Sequence, residues 1–350
     1  MNKYILFISY DGLLDPLGQS QILPYIFGLN NYGYKFIILS YEKERRSETH
    51  IQELRKELNS KGIIWFRLSF VRGRIRRIIR ILSGANKVRY INKKYDLGFI
   101  HLRALQPALI FWVSLINKPF IYDMRAFAGQ WIDMGAVRKD SILAKIIIYF
   151  EKLLVKKASR LVVLDDSGSK YLNAKYKTNK QYEVIPTSTD LGKYIINKEN
   201  KLNGIRIYRF VFLGGARYPY LPQKALIFIM QLMKNGYNCE VDFINESDQE
   251  YILKACKEIG FPRDKLNLFS VARTELYKIL PSYDCGLAFI ATGTWLRMCS
   301  PTKIGEYLAA GLHIVGLEGL AVLDRLAQES NSVDLIETKG NNIRSWKFTS

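Results

Sequence analysis

The residue types best suited to chemistry lie in one segment, Ser300-Pro301-Thr302-Lys303-Ile304-Gly305-Glu306-Tyr307-Leu308-Ala309-Ala310-Gly311, with His313-Ile314-Val315 behind it. Ser300 suits the N-cap of a helix, and Pro301 its first position, where a missing N–H costs nothing. The amides of Thr302 and Lys303 then point out of a helix N-terminus, which is a natural phosphate site. Glu306 falls one turn further on, where a carboxylate can accept hydrogen bonds from ribose hydroxyls. Gly311 closes the helix before the next strand. The same letters also describe an ordinary capped helix with a solvated glutamate, and the segment alone does not choose between the two.

Other candidates are scattered. Gly18 and Gln19 follow the first strand-like run, where a glycine permits close backbone approach to a ligand; a loop glycine ahead of a helix is the plainer reading. His101 is one of three histidines and ends the run Leu97–Ile100. A lone histidine is more often structural, yet a strand's carboxyl end is where ligands bind in open α/β sheets. Arg103 and Arg125 are placed either to bind an anion or to pair internally, and Asp123 either orients Arg125 or faces what is bound. Arg217 and Lys224 follow Gly214-Gly215, where they supply charge or simply decorate a solvated loop.

These residues need a frame, and the hydrophobic pattern provides one. Continuous apolar runs at Tyr4–Ser9, Lys35–Ser40, Ile63–Leu68, Leu97–His101, Pro119–Asp123 and Arg160–Leu164 alternate with helical stretches, the first from about Gln19 to Asn30. Buried strands separated by helices predict a parallel sheet covered on both faces. The polar stretch Asn197–Asn203 reads as a linker, after which strands recur at Arg209–Leu213, Glu240–Ile244, Leu266–Phe269, Cys285–Phe289 and His313–Gly316. The expected organisation is two doubly wound α/β domains, 1–196 and 205–338, joined by a linker at 197–204 and followed by a weakly patterned tail at 339–350. A length of 350 residues with 48% hydrophobic residues suffices for two such cores. Cys239, Cys256, Cys285 and Cys299 lie far apart without a C-x-x-C pair, and are expected to be free thiols in a reducing compartment.

The landmarks resemble those of the glycosyltransferase family 4 type. The segment 300–311 matches at each specified position a subgroup pattern S-P-T-K-x-G-E-Y-L-A-x-G. Asp15-Pro16-Leu17-Gly18-Gln19-Ser20-Gln21 resembles its first-loop motif, and Tyr122-Asp123-Met124-Arg125-Ala126-Phe127 its [FY]-D-M-R-G-F. Val163-Leu164, Ser167, Tyr171-Leu172, Val184-Ile185-Pro186 and Asp190 follow its late first-domain pattern, so the likeness runs in order from about residue 4 to 320.

The resemblance implies two facing Rossmann-like domains (the GT-B fold) and a retaining transfer of sugar from a nucleotide-sugar to a glycan or lipid-linked acceptor, as in bacterial polysaccharide or glycoconjugate synthesis. It implies no metal and no cofactor, the nucleotide-sugar being a substrate. The donor falls to Gly18, Gln19, Ser300, Pro301, Thr302, Lys303 and Glu306, and the acceptor to Arg103, Asp123 and Arg125. His101 is matched to a histidine that contacts the transferred sugar; Arg217 and Lys224 approximate the bases that neutralise the leaving diphosphate. The sequence departs from the wider family at Met298, where a first carboxylate usually stands eight residues before the ribose-binding one. A catalytically impaired donor-binding partner protein is therefore a second reading, and an epimerase of nucleotide-sugars a related one.

Charge adds a further expectation. The net charge is +20, and residues 1–200 hold 34 Lys+Arg against 17 Asp+Glu, whereas residues 201–350 hold 18 against 15. Between Val71 and Lys94 stand Arg72, Arg74, Arg76, Arg77, Arg80, Lys87, Arg89, Lys93 and Lys94 with no acidic residue, while Ile75, Ile78, Ile79 and Leu82 recur at helical spacing. This reads as a packed surface helix or as one lying on an anionic membrane surface. The run Ala108–Ile116 is far shorter than the roughly 20 residues a membrane span requires, and Tyr4–Ser9 reads as a strand rather than a leader. The expected location is cytoplasmic, peripheral on the inner face of the membrane. Nucleic-acid binding is disfavoured, since no helix-turn-helix, zinc-finger or RNP pattern accompanies the basic charge. A nicotinamide oxidoreductase is disfavoured because the first loop lacks G-x-G-x-x-G.

Overall fold

The computed structural model describes residues 3–43, 47–70, 73–196, 206–339 and 342–343. The chain divides into two compact units, Met1–Pro186 and Thr187–Ser350. In the first unit the strands are β1 (Tyr4–Ser9), β2 (Lys35–Lys43), β3 (Ile64–Phe70), β4 (Leu97–Arg103), β5 (Phe120–Asp123), β6 (Arg160–Val163) and β7 (Tyr182–Val184). They form one parallel sheet in the order β3-β2-β1-β4-β5-β6-β7. Its helices are α1 (Leu23–Asn31), α2 (Glu48–Ser60), α3 (Arg74–Lys94), α4 (Leu105–Ser114), α5 (Gln130–Asp133), α6 (Ile142–Lys157) and α7 (Asp166–Tyr176). The direction of travel reverses between β1 and β4, which makes that gap the unit's topological switch point.

The second unit repeats the plan with β8 (Tyr208–Leu213), β9 (Cys239–Ile244), β10 (Leu266–Phe269), β11 (Cys285–Ala288), β12 (His313–Leu317) and β13 (Val333–Ile336), in the parallel order β10-β9-β8-β11-β12-β13. Its helices are α8 (Pro222–Lys234), α9 (Gln249–Glu258), α10 (Arg273–Ile279), α11 (Thr302–Ala309) and α12 (Ala321–Glu329). Alternation along β8 makes the two-sided covering explicit. Phe210 and Phe212 pack with α8 and α9, while Val211 and Leu213 face the opposite way and pack with residues of α10, α11 and α12. Here the switch point lies between β8 and β11. The doubly wound expectation therefore holds for both units.

Several boundaries differ from the sequence reading. Residues 187–196, expected in the first domain, cluster with the second unit, because Thr187 hydrogen-bonds Ser300 and Tyr194 joins the core that holds α11. The linker at 197–204 lies outside the described residues, as does the tail except Lys339, Asn342 and Ile343. Thr338–Lys339 and Asn342–Ile343 pair antiparallel. The helix expected from Gln19 begins as a π-helical turn, Gly18–Ile22, and becomes α-helical at Leu23. Pro24 lacks the N–H that a regular ladder would use there. The free-thiol expectation agrees with the structure: Cys239, Cys256 and Cys285 are buried, Cys299 is half-buried, and none is bridged.

Candidate functional site

In the second unit, α11 starts one residue later than its sequence suggests. Pro301 occupies the N-cap position with extended backbone (φ −66°, ψ 132°), and Thr302 is the first helical residue. Ser300 does not cap, because its side chain is engaged elsewhere. Thr187 Oγ1 lies 2.8 Å from Ser300 Oγ and donates to the Ser300 carbonyl at 2.7 Å, while the Thr187 amide reaches Ser300 Oγ at 3.3 Å. The Ile304 amide bonds the Pro301 carbonyl, so the amides of Thr302 and Lys303 are the ones left without a helical partner.

Tyr307 fixes this turn over the switch point. Its ring lies on Gly286 of β11, where an added Cβ would come within 2.3 Å of it. Its hydroxyl accepts from the Leu213 amide of β8 at 2.9 Å and faces the Val211 and Leu287 carbonyls, both at 3.3 Å. The first turn of α11 is thereby tied to the two innermost strands, where ligands bind in doubly wound sheets.

Glu306 is not the solvated carboxylate of the plainer reading. It is 4% exposed, and its Oε1 accepts from Arg273 Nη2 at 2.7 Å, while Arg273 Nε donates to the Tyr277 hydroxyl at 2.8 Å. Arg273, at the start of α10, has no place in any sequence motif recognised above. Lys303 offers more than an amide, since its side chain is 4% exposed. Its Nζ lies 4.1 Å from the ring centres of both Phe212 and Tyr220, and no hydrogen-bond acceptor among the described residues reaches it. Burial pushes its pKa down to about 7, against the opposing pull of Glu306.

After β8 the chain turns at Gly214, whose φ of +85° favours glycine. Arg217 then lies exposed and pairs with Asp248 at 2.9 Å. Burial raises the Asp248 pKa, but bonds from the Ala216 amide and Arg217 outweigh it and hold the carboxyl low. Lys224, in the first turn of α8, is half-buried with no ion-pair partner among the described residues. Met298 is buried, so no carboxylate stands at that position of the second unit.

The first unit gathers a separate cluster at the carboxyl end of its sheet. Asp123 is its hub: Oδ2 lies 3.1 Å from His101 Nε2 and 3.8 Å from Arg103 Nη1, and Oδ1 lies 2.7 Å from Arg125 Nε. Burial raises the Asp123 pKa, yet the His101 hydrogen bond and the charges of Arg125 and Arg103 prevail and bring it to about 2. His101 is 3% exposed, with its ring packed against Phe7 and Tyr25. Arg103 also faces Asp11 at 3.8 Å, and Arg125 donates to the Ile185 carbonyl. Internal pairing, one of the two readings of these arginines, is thus present in the structure.

Gly18 and Gln19 are spent on their own loop. A Cβ at Gly18 would fall 2.1 Å from the Gly12 carbonyl oxygen, and Gln19 Nε2 donates to the Leu13 carbonyl at 2.9 Å. Glu42, which sequence reasoning missed, organises this loop by accepting from the Leu13 amide at 2.6 Å and the Leu14 amide at 3.3 Å. Along α3, Ile78, Ile79 and Leu82 are exposed together with Arg76 and Arg77; Arg72 lies outside the described residues. No described helix is long and apolar enough to cross a membrane.

No family model matches the chain, and no curated protein sequence matches it significantly. Solved structures do. A sucrose-phosphate synthase from Thermosynechococcus elongatus superposes with a TM-score of 0.72 at 11% identity, covering 97% of this chain and 87% of that one. A glycosyltransferase from Rickettsia africae gives 0.63 at 13% identity over 97% and 86%. A UDP-N-acetylglucosamine 2-epimerase gives 0.55 at 10% identity over 97% and 84%. The fold is therefore the paired Rossmann-like architecture known as GT-B. At such low identity the likeness speaks to the fold, and function must be argued from the residues.

Proposed function

We propose that the chain is a glycosyltransferase whose second unit binds a nucleotide-sugar and whose first unit binds the acceptor. One observation carries the reading: the amides of Thr302 and Lys303, which have no partner among the described residues, open a helix at the β8/β11 switch point, with the Glu306 carboxylate one turn deeper. The amides and helix dipole suit a diphosphate. Glu306, oriented by Arg273, suits the ribose hydroxyls. Lys224 and Arg217 lie on the segment after β8 and supply charge as the diphosphate leaves, once Arg217 exchanges Asp248 for phosphate. Stabilising that leaving group in a dry, preorganised site is the main demand of glycosyl transfer. Retention of anomeric configuration and hexosyl transfer complete the proposal.

In the first unit, the Asp123 hub holds His101, Arg103 and Arg125 at fixed positions along the sheet's carboxyl edge, a frame suited to an acceptor. The exposed Ile78, Ile79 and Leu82 beside Arg76 and Arg77 suit an anionic membrane surface, each base near it contributing about 1 kcal/mol, and favour a lipid-linked acceptor.

The test is a panel of nucleotide-sugars screened for thermal stabilisation and slow hydrolysis, with Glu306→Ala as control. One donor should stabilise the wild-type chain and be hydrolysed, and the variant should lose both effects. Stabilisation that survives unchanged in Glu306→Ala would remove the basis of the assignment.

A further inference from the structure

We infer that the side chain of Lys303, and not only its amide, belongs to the anion site: it takes up a proton as a diphosphate docks on the first turn of α11, so that a cation forms beneath the ligand on arrival. The inference rests on the donor reading above and adds a positioning residue to it.

The argument begins with where the side chain lies. Phe212 is the penultimate residue of β8, and Tyr220 is held above the strand ends by backbone bonds across the switch point. The Leu221 amide donates to the Phe289 carbonyl at 3.0 Å, and the Ala291 amide to the Pro219 carbonyl at 2.7 Å. Lys303 Nζ sits between the two rings, one side-chain length from its own free amide.

Among the described residues, the charged group that acts on it is Glu306. Glu306, on the same helix, turns its Oε1 to Arg273. Tyr307 is bonded to β8, Tyr220 contributes its ring, and Cys299 lies close enough to act on Tyr220. Among the described residues no carboxylate pairs with Nζ. An ammonium sealed without an acceptor is costly, and two ring faces offset only part of that cost. The amine is consequently neutral in a large share of empty molecules, in keeping with a pKa of about 7. A diphosphate bound at the helix start brings negative charge to a poorly screened region and favours the ammonium. The proton moves from solvent to Nζ, and no bond to the ligand forms or breaks.

Calorimetric titration with UDP, GDP and ADP, in two buffers of different ionisation enthalpy, tests this. Working from pH 7.5 to 9 avoids the nucleotide's own terminal phosphate, which titrates near about pH 6. The wild-type chain should take up close to one proton per nucleotide at about pH 8, and its affinity should weaken by up to roughly tenfold per pH unit above that. Lys303→Met should bind with no uptake and little pH dependence. Lys303→Arg, charged throughout, should also show no uptake. Buffer-independent heats from a wild-type chain that binds nucleotide would overturn this inference and leave the donor reading standing, as would uptake that persists in Lys303→Met. A wild-type chain that binds none of the three would overturn both. Should neither variant fold, the wild-type heats decide.

Discussion

Replacing Lys303 by methionine should stabilise the second unit at neutral pH, by an amount that shrinks as pH rises. A lysine lowered from its ordinary 10.5 to about 7 holds fewer protons folded than unfolded between those values. Stability therefore rises with pH through that window, and the full penalty is present below it. At about 1.4 kcal/mol per unit, the side chain costs about 4 kcal/mol at pH 7 and about 2 kcal/mol at pH 9. Methionine has similar length, and its thioether suits the two aromatic walls. Its packing gain or loss does not depend on pH, so the change in the variant's advantage between pH 7 and 9, about 2 kcal/mol, isolates the proton linkage. Urea denaturation followed by thiol labelling reads this unit alone, because Cys239, Cys256 and Cys285 are buried and all lie beyond Pro186. A stability gap that is the same at both pH values would refute the reasoning, since it would mean that Lys303 keeps its charge in the folded state.

Tyr307→Phe should destabilise the second unit by about 1–3 kcal/mol, since the buried Leu213 amide loses its acceptor; the same labelling assay measures it, together with weaker nucleotide binding. Asp123→Asn removes a carboxylate whose pKa is about 2 when folded. The stabilisation of about 2 kcal/mol that the wild type enjoys above about pH 4, and loses as pH falls toward 2, should vanish in acid-unfolding curves of the variant. Vesicles containing anionic lipid should bind the chain and release it in salt, and Ile78→Ser with Leu82→Ser should weaken that binding. Equal affinity for neutral vesicles would speak against a charged surface as the partner.

Much of the frame was legible because buried parallel strands are written as apolar runs, and Tyr4–Ser9 and Arg209–Leu213 are plain examples. β7 was not, being three residues long with Glu183 and Val184 exposed at the sheet edge. β13 is short and interrupted by Asp334. At the site, the helix start at 300–306 could be read locally, but its cap could not. Ser300 is claimed by Thr187, which lies 113 positions earlier, and that partner also explains why the unit begins at Thr187 rather than after a linker. Arg273 was invisible because its role exists only through Glu306, 33 positions away. The lysine's environment was equally hidden, since it depends on rings from β8 and from the loop after it. The paired state of Arg103 and Arg125 was foreseen only as an alternative, because separation in sequence carries no information about which carboxylate lies between them.

The bond from Tyr307 to β8, made across Gly286, has a mechanical implication. A helix riveted to the two innermost strands cannot tilt or slide without breaking those bonds, so its first turn moves only with the sheet and is a rigid anvil. On the donor reading proposed above, room for sugars of different size is set instead by residues outside that anchor, on the segments 214–220 and 289–297, which are bonded to each other through Pro219 and Ala291. If the chain is the transferase proposed above, exchanging those segments for their counterparts in another GT-B protein should retune sugar preference while leaving nucleotide affinity as it was.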